Sequence, residues 1–204
     1  MKLLLAFEPP YDWPAMLGFL SARAIAGMEQ VVDGTYSRSI GLNGVHGTLS
    51  IKPATADSLE LTLDFPDASA IPEIVARLRR MFDLDADFIT MQRHLAFDPL
   101  LARLIAHHPG LRVPGTWDGL ELAIRAVLGQ QITVSAAIKL AGKLVAQYGA
   151  PLASPHGGLT HVFPEAAVLA AADLATLGMP KSRGRTLSGV AQALLDDPRL
   201  FEPG

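Results

Sequence analysis

The sequence predicts an α+β fold in which the strands are confined to the first third of the chain. Three observations carry that reading. Residues 29–65 hold short alternating segments separated by Asx-Gly turns, amphipathic helical spacing flanks them on both sides, and everything after Leu84 has helical texture. Residues 3–7 form an apolar strand ended by Pro9-Pro10. Asp12 is placed to cap a helix with Trp13 and Pro14 in its first turn. Met16, Leu17, Phe19, Leu20, Ala24 and Ile25 then recur at helical spacing until Gly27 closes it. The period-2 segments 30–32, 36–40, 47–51 and 59–63 are joined at Asp33-Gly34, Asn43-Gly44 and Ala56-Asp57, a meander of about four antiparallel strands. Residues 71–84 give a second amphipathic helix, with Ile74, Val75, Leu78, Met81 and Phe82 on one face and Arg77, Arg79 and Arg80 towards solvent.

The remainder reads as helices. Residues 86–107 carry Phe88, Ile89, Met91, Leu95, Leu100, Leu104 and Ile105, are split by Pro99, and stop at His107-His108-Pro109-Gly110. Thr116 is expected to cap a helix running to Leu128; Gly129-Gln130-Gln131 interrupts, and Thr133 starts the next helix, through Tyr148. Residues 149–158 read as a loose surface connection, with His156 and His161 exposed. Phe163-Pro164 opens a short helix, 173–177 makes a turn closed by Gly178, and 181–195 is the last helix before a trailing end at 196–204.

Composition narrows the function classes. The 204 residues are 50% hydrophobic and 18% charged, too apolar for a disordered chain. With no Cys, a disulfide scaffold, a thiolate zinc site and a thiol nucleophile are excluded. The apolar runs are far shorter than the roughly 18 residues of a membrane span, and Glu8-Pro9-Pro10 breaks the first of them before any signal-peptide cleavage site, so a cytoplasmic location is expected. Residues 1–110 carry 9 basic and 13 acidic side chains, residues 111–204 carry 8 and 7; charge alone does not suggest a polyanion partner.

Few constellations carry chemistry. The six His form no metal-ligand spacing; His107 and His108 are neighbours and diverge on a helix, suiting its negative C-terminal end. Asp83, Asp85 and Asp87 gather at a helix junction, and Asp196-Asp197 at a helix end, positions better suited to capping or fraying than to acid–base work. The sequence contains no nucleophile elbow, Walker loop or dinucleotide glycine motif. The segment that stands out joins two helices through the polar knuckle Gly129-Gln130-Gln131, with Thr133 as the cap of the second. Two amides on an exposed turn suit recognition of base edges or of an orphaned base. A plain helix–loop–helix linker would show the same spacing.

Residues 113–135, which contain this knuckle, resemble the signature of the AlkA-type 3-methyladenine DNA glycosylases of the helix-hairpin-helix superfamily. The likeness extends to Pro9-Pro10-Tyr11-Asp12-Trp13, Met16-Leu17-Gly18-Phe19-Leu20, Ala22-Arg23-Ala24, Met81-Phe82-Asp83-Leu84, Pro109-Gly110-Leu111-Arg112 and Leu177-Gly178-Met179-Pro180, in order along the chain. It implies a TATA-binding-protein-like antiparallel sheet with two helices over 1–85, connecting helices over 86–112, and part of an all-helical glycosylase domain over 113–204. It also implies that Gly129, Gln130, Gln131 and Thr133 contact DNA, Gln131 taking the place of the wedge that fills the gap left by a flipped nucleotide. Some relatives carry an apolar wedge there. Phe19 matches an aromatic of the base pocket, whose electron-rich face suits a cationic alkylated purine; ordinary core packing on its own helix is the competing reading.

By the same resemblance, the reaction is hydrolysis of the N-glycosidic bond of alkylated purines in double-stranded DNA, without metal or organic cofactor. Family members carry a hairpin of the form Leu-x-x-x-Pro-Gly-Ile-Gly-x-Trp-Thr-Ala and then a catalytic Asp; neither occurs in these 204 residues. The chain is therefore expected to look C-terminally truncated, to hold no catalytic residue, and to be inactive alone. The helices of 86–107 would leave Leu95, Leu100, Leu104 and Ile105 uncovered, so self-association is expected. The alternatives are a non-catalytic damaged-DNA-binding fragment, a protein-interaction module, and an oxidised-purine glycosylase of the same superfamily.

Overall fold

The computed structural model describes residues 1–202. Its first core lies under an antiparallel sheet of β1 (Lys2–Ala6), β2 (Glu29–Val32), β3 (Thr35–Leu42), β4 (Val45–Thr55) and β5 (Ser58–Asp64), in the order β1-β5-β4-β3-β2. Two hairpins turn through Asp33-Gly34 and Asn43-Gly44 with φ of 48°, 74°, 51° and 73°, the left-handed pair that Asx-Gly adopts at low cost. Register places Tyr36 opposite Ile51 and Ile51 opposite Leu61, a buried row across three strands. Helices α1 (Trp13–Ser21) and α2 (Ile71–Met81) cover that row with Trp13, Met16 and Leu20, and with Ile74, Leu78 and Met81. Each such side chain contributes about 1.5–3 kcal/mol on burial. Trp13 stacks on Phe82 at 5.6 Å and donates its indole N–H to the Gly34 carbonyl at 2.9 Å. The α+β class and the meander are as the sequence predicts.

A second core is helical. α5 (Gly119–Leu128), α6 (Val134–Tyr148), α7 (Ala166–Ala171) and α8 (Lys181–Asp196) bury Ile124, Leu128, Leu144, Leu169 and Leu187 together. In sequence between the two lie α3 (Phe88–Leu95) and α4 (Pro99–His107), which bury only Phe88. Ile89, Met91, Leu95, Phe97, Leu100 and Leu104 lie exposed, Phe97 at 82%, while Ile105 is half-buried. Gly110, at φ +82°, presses against the Pro10–Asp12 backbone, where a β-carbon would meet the Tyr11 nitrogen at 2.6 Å.

Several local expectations are corrected. α1 ends at Ser21, not Gly27, because the Glu29 carboxylate takes the Ile25 N–H at 3.0 Å, and Ile25 and Met28 cross into the helical core. Asp118 caps α5, accepting from the Glu121 N–H at 3.0 Å, while the Thr116 hydroxyl donates to the Asp118 carbonyl. Arg77 and Arg79 are half-buried: Arg77 pairs with Glu73 and Asp118, Arg79 with Asp85, and only Arg80 faces water. The loose connection after α6 is a ribbon of β6 (Pro151–His156) and β7 (Leu159–His161). β7 is tied to the sheet side through the Gly27 carbonyl, which accepts the Thr160 and His161 N–H groups at 2.7 and 3.1 Å. His161 is thereby half-buried, its carbonyl accepting the Ser39 hydroxyl at 2.5 Å; His156 is exposed. Phe201 returns onto the helical core instead of trailing, and the last two residues of that expected end lie outside the described residues.

No helix among the described residues is long and apolar enough to cross a membrane, and no three of their His, Asp or Glu gather to hold a metal ion.

Candidate functional site

The end of α1, the 114–117 loop, α5 and the start of α6 enclose a cavity of about 530 Å³. That volume is in the range of small-ligand sites. Apolar side chains make most of its wall: Phe19, Leu20, Met81, Trp117, Leu122 and Ile138 among them. Phe19 is 38% exposed and belongs to neither core, so the competing expectation of ordinary core packing on its helix does not hold. The Arg23 guanidinium lies over the Phe19 ring at 3.9 Å and donates to the Phe19 carbonyl at 3.3 Å.

The polar part of the wall is a buried ion network. Arg38 of β3 donates to Glu121 at 2.6 Å and lies 4.0 Å from Glu29; Arg125 reaches Glu29 at 2.5 Å and Glu121 at 2.6 Å. Tyr36 donates its hydroxyl to Glu29 at 2.6 Å. Two cations meet two anions, so the group is neutral. Burial alone would raise the Glu121 carboxyl; the Arg38 and Arg125 guanidiniums outweigh it and hold it below the ordinary glutamate value. Burial, reinforced by the neighbouring Glu29 charge, pushes the Tyr36 hydroxyl well above its usual value. The network escapes a motif search, yet Arg38 shares the inward alternation of Tyr36 and Ile40, and Glu121 and Arg125 stand at i,i+4.

The knuckle closes one side. Gly129 lines the cavity and is half-buried, whereas Gln130 and Gln131 are exposed. Gln131 has φ +60°, a left-handed conformation uncommon outside Gly and Asn. The Gln130 carbonyl accepts from the Arg183 guanidinium at 2.6 Å, which ties the turn to α8. Thr133 caps α6, its hydroxyl accepting the Ala136 N–H at 3.2 Å. The fold thus brings Phe19 and Gly129 to one cavity, and leaves Gln130, Gln131 and Thr133 on the surface beside it.

An antiparallel sheet with two helices thus meets a helical bundle at a largely apolar cavity beside an exposed polar turn, the arrangement of a two-part α+β binding protein. The comparisons supply the family. Residues 2–118 match the family model described as the AlkA N-terminal domain. A "Probable bifunctional transcriptional activator/DNA repair enzyme AlkA" of Mycobacterium tuberculosis is 38% identical over 204 residues, covering 100% of this chain and 41% of that protein. The "DNA-3-methyladenine glycosylase 2" of Escherichia coli is 37% identical over 196 residues, covering 94% of this chain and 67% of that one. The solved 3-methyladenine DNA glycosylase of Archaeoglobus fulgidus superposes with a TM-score of 0.82 at 19% identity, over 93% of this chain and 66% of that one. The chain belongs to the AlkA family of DNA repair glycosylases. It spans 41% of the length of its mycobacterial relative.

Proposed function

We propose that this chain is the DNA-engaging part of a base-excision glycosylase that removes alkylated purines of the 3-methyladenine type from double-stranded DNA. The observation that carries the reading is the juxtaposition of the exposed left-handed Gln131 turn with a cavity of about 530 Å³ that holds Phe19 and Trp117. In this reading Gln130, Gln131 and Thr133 approach the minor groove, with Gln131 filling the hole left by the extruded nucleotide while its base enters the cavity past Gly129. A polar wedge hydrogen-bonds the widowed base and unstacks its neighbours less forcefully than an apolar one. In this reading residues 1–85, 86–112 and the described part of 113–204 act as sheet domain, connecting helices and cavity-bearing helices, a division the order of elements supports.

The chain alone is proposed to release little base. Glycosidic hydrolysis needs a carboxylate that steadies the oxocarbenium-like sugar and directs water. The carboxylates lining the cavity, Glu29 and Glu121, are both engaged by guanidiniums, which supports assigning neither that task. The exposed apolar face of α3 and α4 supports self-association as a second property of this chain.

Fluorescence anisotropy with an abasic-site duplex and its intact counterpart tests the reading. Tighter binding to the abasic duplex, reduced by Gln131→Ala, is expected; equal binding to both duplexes would refute the wedge. Release of 3-methyladenine from alkylated DNA well above the uncatalysed rate would refute the inactivity.

A further inference from the structure

We infer that the solvent faces of α6 and α8 form a basic surface that grips phosphates of the strand opposite the lesion, a second hold on DNA apart from the knuckle. This rests on the reading of knuckle and cavity proposed above. The near-balance of charge along the sequence hides a segregation that the fold makes spatial. Residues 126–195 hold five basic side chains and two acidic ones, in a chain whose net charge is -3. Lys139 and Lys143 stand one turn apart on α6, and Lys181, Arg183 and Arg185 lie in the first two turns of α8. All but Arg183 are exposed. Lys143 Nζ donates to the Leu177 carbonyl at 3.5 Å, four residues before Lys181, which joins the two sets of cations into one surface.

These charges are unspent. Among the described residues the ion pairs occupy Lys2, Arg38, Lys52, Arg77, Arg79 and Arg125, and none involves the five. Lys143 and Arg183 meet only carbonyls, which carry no net charge. Of the two acidic residues in the stretch, Asp173 accepts the Ala175 N–H at 3.2 Å and Glu165 precedes α7; neither pairs with a cation. Lys139 with Lys143, and Lys181 with Arg185, are like-charged i,i+4 pairs, which cost a helix stability until an anion neutralises them. Position then gives the ligand and the strand. The Gln130 carbonyl accepts from Arg183, so the basic surface begins where the knuckle ends. On α6 the cavity takes Val134, Ala137, Ile138 and Ala141, while Lys139 and Lys143 project from the opposite side of the helix. With the knuckle in the minor groove and the extruded base in the cavity, the damaged strand lies on the cavity side. The phosphates left to the far side of α6 belong to the complementary strand. Clustered cations free of carboxylates, beside a groove-binding turn, are the footprint of a duplex backbone.

Anisotropy titrations of the 204-residue chain with an intact and an abasic duplex, from about 50 to 200 mM salt, test this. Lys139→Gln with Lys143→Gln should weaken binding to both duplexes by the same factor, and should reduce the slope of log K against log salt by about one per lysine. At about 0.1 M salt that amounts to roughly 8-fold per lysine. Lys139→Arg with Lys143→Arg should keep the wild-type slope. Lys2→Gln with Lys52→Gln, which removes the same charge from the sheet, should leave it unchanged. Uncharged methylphosphonate linkages in the complementary strand should abolish the effect of the Gln pair on α6; in the damaged strand they should preserve it. An unchanged slope in that variant, an equal fall in the sheet variant, or an effect that follows the damaged strand overturns the inference. Failure of wild type to bind either duplex at low salt overturns it too. Equal wild-type binding to both duplexes, with the lysine effect intact, refutes the wedge and supports the basic surface.

Discussion

Replacing Arg38 by Met would leave Glu29 and Glu121 sharing one guanidinium, that of Arg125, inside the protein. The Arg38, Glu29 and Glu121 side chains are 2%, 6% and 4% exposed, so water can do little to compensate. At an effective dielectric constant near 20, a unit charge pair 4 Å apart interacts by about 4 kcal/mol. The variant also deletes the charged hydrogen bonds to Glu121 and to the Ser39 carbonyl. Leaving one buried charge uncompensated costs about 3–5 kcal/mol, against a typical total stability of about 5–15 kcal/mol. Urea unfolding followed by tryptophan fluorescence should therefore show a large drop in midpoint. The diagnostic measurement is the double variant Arg38→Met with Glu121→Gln. It leaves Glu29 paired with Arg125, a balanced remainder, and should recover at least about 1 kcal/mol relative to the sum of the single losses. Strict additivity, or a single-variant loss below about 1 kcal/mol, would mean that the network is not the buried neutral unit described above.

Three further outcomes follow from particular residues. Gln131→Gly should stabilise the chain by up to about 1 kcal/mol, since φ +60° suits glycine, while abolishing preference for an abasic duplex; a loss of stability in urea would contradict the strain argument. Glu121 has its carboxyl lowered in the folded state, so its contribution is complete above the ordinary value of 4.5 and is lost as the pH falls below it; Glu121→Gln should flatten that acid limb in urea midpoints measured against pH. The apolar face of α3 and α4 should make the chain sediment as a dimer or larger species at micromolar concentration, and Leu100→Glu, at a site 57% exposed, should shift it towards monomer. A wild-type chain that sediments as a sharp monomer would remove that expectation.

Local chemistry decided how much of the fold was legible. The Asx-Gly turns at 33–34 and 43–44 fix hairpin geometry by themselves, and the inward alternation of β5 marks its buried face, so the meander could be read directly. Boundaries set by distant partners could not. α1 stops early because a glutamate four residues beyond Ile25 competes for its N–H, and the 119–128 helix starts late because the Asp118 side chain outcompetes Thr116 for the capping position. The β6–β7 ribbon was invisible for a different reason. β7 has three residues and is held by the Gly27 carbonyl, more than 130 positions away in the sequence, so its strand character comes from docking and not from local propensity.

The site divides along the same line. Gln130 and Gln131 were legible because a polar knuckle between two periodic helices is a local pattern, and Phe19 because a motif pointed to it. The charges that shape the cavity were not. Arg38 sits on a strand, Glu121 and Arg125 on a helix 83 and more residues later, and only the fold brings β3 against α5. Both glutamates of the cavity wall are already paired with guanidiniums, and the Arg23 guanidinium lies over the Phe19 ring. An aromatic side chain is therefore legible in a sequence as a candidate for a base site, whereas the charges that surround it are set by contacts only the fold makes.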